Sequence, residues 1–416
     1  MRKRTLKATI STALLTTLFA ATSFPVMAAE DSATTFGEAF TKGKFGYSFR
    51  WRLENVDQDP LPHDATAAPL RARINFHTAD LAGFSAKAEF DYVFDLGLDN
   101  YNAGGGNKPN PPGYPVIADP SGDDLNQLFL QYKAGFGKFR LGRQRIIYDN
   151  ARFVGNVGWR QNEQTYDSFS FGQSAGADFN VQYSYVDNVN RIFGDEVNAG
   201  DHAQNTHLLN ASYKFPNAAK LTAYYYDIDN EDVASLSNVT YGVRLTGKTG
   251  GDGDGIKFGY TAEYARQKEN ADNPVDYSAD YWRGDLSLGF SWATLYIGYE
   301  SLGGDDLIPG QAFRTPLATL HAFNGWADKF LTTPDEGIND AFLGVKGNLG
   351  KWKWNVLYHD FSAQSGPESW GTEFDGSISR KFADHFGILF KAASFSTDSL
   401  RYGDTTKLWV QLTANY

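Results

Sequence analysis

Guanidinium groups are concentrated in the first part of this chain. Arg50 and Arg52 lie two apart, as do Arg71 and Arg73, and Lys138-Phe-Arg-Leu-Gly-Arg-Gln-Arg145 adds Arg140, Arg143 and Arg145. A spacing of two keeps side chains on one face of an extended strand. A planar guanidinium grips a carboxylate through two parallel hydrogen bonds. A face of arginines is therefore chemistry for recognising carboxylates rather than transforming them. The competing reading is ion pairing with Glu54, Glu89, Asp91 and Asp95, which share the polar faces of the same segments.

Signs of catalysis are thin. The seven histidines show no metal-ligand spacing, and no nucleophile elbow is evident. No metal or cofactor is expected. Gly250-Gly-Asp-Gly-Asp-Gly255 is similar to one calcium-binding repeat, but it occurs once and reads as a solvated turn. A barrel hydrolase would need a Ser, a His and an acid gathered at one rim by the fold. The formal net charge of −11 disfavours nucleic acid as a partner.

The elements that must carry these arginines are strands. In Lys44–Leu53, Phe45, Tyr47, Phe49, Trp51 and Leu53 alternate with Lys44, Gly46, Ser48, Arg50 and Arg52. One face is apolar and the other cationic, as when a barrel strand turns one side to lipid and the other to a watery lumen. The next such segment puts Leu70, Ala72, Ile74 and Phe76 outward and Arg71, Arg73, Asn75 and His77 inward. Lys87 and Lys133 lie on the polar faces of the third and fourth. Phe139 and Leu141 face out, so Arg140 and Gln144 face in. Arg143 and Arg145 continue the outward parity. A lipid-facing arginine at mid-depth costs roughly 2–4 kcal/mol, so a bulge or a place near the rim is expected there.

About eighteen alternating segments follow, near 44–56, 67–79, 84–97, 124–134, 138–149, 163–173, 178–188, 205–215 and 220–230 in the first half. The second half has 237–248, 256–268, 277–290, 293–303, 339–349, 352–362, 369–382, 386–396 and 405–416. Short links alternate with long ones at 98–123, 150–162, 189–204 and 304–338, the asymmetry of periplasmic turns against external loops. The 304–338 loop has apolar spacing compatible with a short helix, and it either folds into the lumen as a constriction or packs on the surface. Aromatics at 15% and 42 glycines suit interface girdles and tight turns. The fold class is all-β: a transmembrane antiparallel barrel. The final segment, Leu408-Trp-Val-Gln-Leu-Thr-Ala-Asn-Tyr416, alternates to an aromatic end. It resembles the assembly signal of bacterial outer-membrane barrels.

At the other end, Arg2, Lys3, Arg4 and Lys7 precede an apolar run and the small residues near Ala28 and Ala29. This reads as a secretory signal over 1–28, followed by a short periplasmic leader over 29–42 and a barrel over 43–416. Removing the signal makes the chain more acidic. Cysteine is absent, so stability must come from a source other than disulfides, such as a closed hydrogen-bonded barrel.

The run Arg140–Asp167 resembles the signature of the alginate-export family of outer-membrane barrels. The likeness lies in Leu141-Gly-Arg-Gln144, Arg152-Phe-Val-Gly155, Trp159-Arg-Gln-Asn162 and Thr165-Tyr-Asp167, and Arg50-Trp-Arg-Leu-Glu54 resembles that family's first strand. The resemblance implies an 18-stranded monomeric channel in a Gram-negative outer membrane. It implies an arginine-rich lumen that passes an anionic polysaccharide or sugar acid passively. Its partners would be outer-membrane lipids, that substrate and the assembly machinery. Carried over by position, the substrate-facing set is Arg50, Arg52, Arg71, Arg73, Arg140, Arg143, Arg152 and Arg160, with Asp167 as a partner. The chain departs from the family's secretion channel at Ala383-Asp384-His385, where that channel has a long periplasmic turn. The alternative is a general or oligosaccharide-uptake porin.

Overall fold

A computed structural model describes residues 32–175, 178–216, 218–250 and 255–416. The secretory signal and most of the Gly250–Gly255 turn lie outside the described residues. The polar–apolar alternation becomes eighteen long antiparallel strands closed into a barrel. In order, β1 is Lys44–Gln58, β2 Leu70–His77, β3 Phe84–Phe94, β4 Gly122–Ala134, β5 Gly137–Gln144 and β6 Thr165–Ala175. Then come β7 Phe179–Asn190, β8 Asp201–Lys214, β9 Lys220–Ile228, β10 Asn238–Gly250, β11 Lys257–Glu269 and β12 Ser278–Gly289. The last six are β13 Ala293–Leu302, β14 Ile338–Leu349, β15 Trp352–Ser362, β16 Ser369–Phe382, β17 Phe386–Thr397 and β18 Thr405–Asn415. Each pairs with its predecessor, and β1 pairs with β18 from Ser48 opposite Asn415 to Gln58 opposite Thr405. Closure leaves no free edge, so every long strand has a ladder on both sides.

The facing read from the alternation holds. Phe45, Ile74, Leu141 and Trp282 are exposed on the outer wall, whereas Arg50, Arg52, Arg71 and Arg73 are buried inside. Short turns join the strands at the end that carries both termini, and the longer loops lie at the other end. We call these the periplasmic and extracellular ends.

The structure refines three expectations. β5 stops at Gln144 instead of running to 149, after Gly142 adopts φ 119°. A Cβ at Gly142 would run into the Leu128 carbonyl, so this positive-φ position, still paired on both sides, needs glycine. The short helix allowed in the 303–337 loop is a single 3-10 turn, Leu320–Ala322. The leader forms a short helix α1, Phe36–Thr41, and its Ser32–Ala33 runs parallel to Asp80–Leu81.

Candidate functional site in the lumen

Two extracellular loops, 145–164 and 303–337, turn into the barrel instead of covering its mouth. They are joined to each other first. Val154 and Leu317 form a parallel bridge, Gly155 N donates to Leu317 O at 2.8 Å, and Thr319 N donates to Ala151 O at 3.0 Å. Gly155 is required at this join, since a Cβ there would overlap the Thr319 hydroxyl and Ala151. Phe313, Leu317, Trp326 and Phe330 are buried with Phe153 and with inward wall residues such as Tyr281, Phe361 and Phe395. This places a hydrophobic core inside a barrel whose walls supply only part of it.

The arginines fasten this core to the wall. Arg50 donates through Nε to Gln161 Oε1 at 3.0 Å and through Nη1 to Gly158 O at 2.9 Å. Arg52 donates to Trp159 O at 2.6 Å, lies 3.8 Å above the Trp159 ring and pairs with Asp119 at 3.6 Å. Arg73 grips Asp91 with two hydrogen bonds of 2.6 and 2.5 Å and reaches Glu163 at 2.8 Å. Arg71 lies 3.7 Å from Glu163 and donates to Gln161 O at 3.2 Å. From the loops, Arg152 pairs with Glu300 at 2.9 Å, and Arg160 pairs with Glu54 and Asp328, both at 3.0 Å. Burial alone would raise the Glu163 carboxyl. Arg145, Arg73 and Arg71 outweigh burial and hold it well below the usual carboxylate range. Opposite, Glu373 on β16 accepts from the backbone N–H groups of Trp326 and Ala327.

Below the constriction the lumen changes character. The ladder registers place Lys133 beside Lys138, with Lys87 and Arg140 on the same inward wall. Lys214 opposes Lys220 on the inward faces of β8 and β9. Lys248 and Lys257 follow on β10 and β11, then Lys346, Lys353 and Lys381 on β14 to β16, with Lys44 on β1. These cations collect near the periplasmic ends of their strands and form a collar. Lys220 is itself ion-paired, with Asp149 of the inward loop at 3.3 Å. Glu89 and Asp285 are inward carboxylates on the strands. Both are already ion-paired, Glu89 with Arg73, Arg145 and Lys87 and Asp285 with Arg283. The turns at this end carry Asp80, Asp178 and Asp384. The extracellular loops hold many of the acids, including Asp95, Asp99, Asp195, Glu196, Asp229 and Asp232. This division explains how a chain of net charge −11 keeps a basic inner mouth.

The family model described as alginate export matches residues 41–295. The chain belongs to the alginate-export family. No curated protein sequence matches it. Among solved structures, it is similar to OccAB2 of Acinetobacter baumannii, with a TM-score of 0.70 at 15% identity over 91% of this chain and 99% of that one. It is similar to Pseudomonas aeruginosa OpdK, solved with vanillate, with a TM-score of 0.69 at 13% identity over 91% and 100%. It is also similar to OccAB4 of Acinetobacter baumannii, with a TM-score of 0.70 at 12% identity over 90% and 98%. At such identities the likeness is one of fold, that of outer-membrane barrels.

In this alginate-export barrel, the segment whose motif resembles the family is the inward loop 145–164 with its flanking strands. Of the nine residues predicted to face substrate, Arg50, Arg52, Arg71, Arg73, Arg152 and Arg160 meet in the constriction, where they bind protein rather than line an open passage. Arg140 lies inward and apart from them. It donates to Gln131 Oε1 at 2.9 Å and rests 4.8 Å above the Phe129 ring, with no carboxylate in ion-pair contact among the described residues. Arg143 and Asp167 are not in the lumen. They face each other across β5 and β6 on the side of Leu141 and Phe169, near the extracellular rim. There they form a two-point pair at 2.9 and 3.0 Å. The rim position expected for Arg143 is what lets a charge keep outward parity. Arg145, just past the end of β5, turns inward to Glu163 and Glu89. Most of the collar was not singled out from the sequence, although the signal was present: each lysine shares the parity of inward residues on its own strand.

Proposed function

We propose that this outer-membrane channel passively passes an anionic polysaccharide or oligosaccharide. The observation that carries the reading is the periplasmic collar of inward lysines, which recurs on strand after strand around the wall. A ring of charge inside a low-dielectric wall focuses its potential on the axis, whatever the net charge of the chain. Ammonium groups are compact and strongly hydrated. They hold a polyanion at many weak points, which favours entry without trapping it. The arginine constriction above would take up sugar carboxylates only when 145–164 and 303–337 part, since its guanidinium groups are engaged in the closed arrangement.

In a planar bilayer with a salt gradient, the reversal potential is expected to favour anions, and uronate oligomers should block current more strongly from the collar side. Replacing Lys138, Lys248 and Lys353 together with Gln should move selectivity toward cations and weaken that block. Both effects should shrink in 1 M salt, where the screening length is about 3 Å. A wild-type channel that prefers cations and ignores uronates would instead be a general porin.

A further inference from the structure

The leader helix is used by neither the constriction nor the collar. It spans Phe36–Thr41 at the periplasmic rim and starts with Thr35, whose hydroxyl accepts from Glu38 N. Its inner side is fixed. Ala39 is buried with Ala33 and Ala79, Leu81 packs against them, and Ala79 N donates to Ala39 O at 2.9 Å. Its outer side is aromatic and open, with Phe36 74% and Phe40 49% exposed. The two residues are four apart, so they share one face of the helix, and their ring centroids are 5.1 Å apart.

That face continues the outer wall of the barrel. Phe40 stacks on Phe76 at 6.1 Å, and Phe76 lies 4.6 Å from Phe45. Phe45 and Phe76 sit on the apolar, lipid-facing parity of β1 and β2. The helix therefore extends the aromatic girdle past the last rung of the ladder, on the same side of the wall. An amphipathic helix with an aromatic face at headgroup depth lies in the membrane interface. We propose that α1 is an interfacial anchor whose Phe36 and Phe40 rings insert among the phospholipids of the periplasmic leaflet. The occupant is lipid, because the exposed rings are continuous with a surface that already faces lipid.

The chain has no cysteine, so Phe36→Cys creates a unique attachment point for a nitroxide spin label. Ile74→Cys, on the lipid face, and Lys351→Cys, in a periplasmic turn, serve as references. Each variant is placed in phospholipid vesicles after the heat-dependent gel shift confirms the barrel. The label at 36 is expected to relax faster with dissolved oxygen than with a water-soluble nickel complex, as at 74 and in reverse of 351. A label at 36 that responds mainly to nickel would overturn the proposal. So would one shielded from both agents, which would mean that protein covers the helix.

Discussion

At the scale of single residues, arginines of similar parity do different work. Arg73 sits among Asp91, Glu89 and Glu163, all buried. Its removal would strand Asp91 away from water and thin the pairing of Glu89 and Glu163, which keep Arg145, at a cost of roughly 3–5 kcal/mol for breaking such a group. Arg140 has one neutral hydrogen-bond partner and a ring beneath it. Arg73→Gln is therefore expected to lower the temperature at which the folded band is lost on a gel, and Arg140→Gln to leave it within about 0.5 kcal/mol of the parent. In bilayers the order should reverse, with Arg140→Gln reducing anion preference while the channel stays closed-loop. Equal destabilisation by both would mean that Arg140 is also an anchor.

At the scale of elements, the two inward loops act as one unit because their backbones are bonded at Val154–Leu317. Gly155→Val forces them apart at the Thr319 contact. The walls keep their own ladders, so the barrel should assemble. Single-channel conductance should rise and become noisier, and the same change should follow Glu163→Gln, which weakens the hold of Arg71, Arg73 and Arg145. Unchanged conductance in both variants would place the ion path elsewhere than between these loops. The sequence indicated that 303–337 is rich in spaced apolar residues, which is compatible with either a surface or a lumenal course. Its course inside depends on Glu300, Asp340 and Glu373, which stand on three different strands and accept from the Arg152 and Asn324 side chains and the Trp326 backbone N–H.

At the scale of the whole molecule, closure depends on the last strand. Tyr416 N donates to Tyr47 O at 2.9 Å, and the Tyr416 ring stacks on Tyr47 at 5.5 Å and on His385 at 4.8 Å. The terminal residue thus touches both neighbours of its strand at the seam. Tyr416→Asp, or deletion of Tyr416, is expected to lower the amount of barrel in the outer membrane while export across the inner membrane continues. Cell fractionation checks this. Normal amounts of both variants would make the terminal aromatic dispensable for assembly.

The amino-acid sequence by itself determined the strands, their facing, the alternation of short turns and long loops, and the identity of the family signature. Period-two patterning is local, and a wall between lipid and water enforces it at nearly every position, so each strand announces its own faces. The inward parity of Lys138, Lys248 and Lys353 was legible in the same way, strand by strand. That they form one collar needed the registers, which set every strand at its height in the wall. Only the tertiary structure decided which charges meet. Arg50 finds Gln161, Arg152 finds Glu300 and Arg160 finds Asp328 across more than a hundred residues of chain. Such contacts exist because a closed barrel brings distant loops into one enclosed space. There an unpaired guanidinium or carboxylate would be costly, so the arginines that looked free on their strands are bound to the loops that fill the lumen.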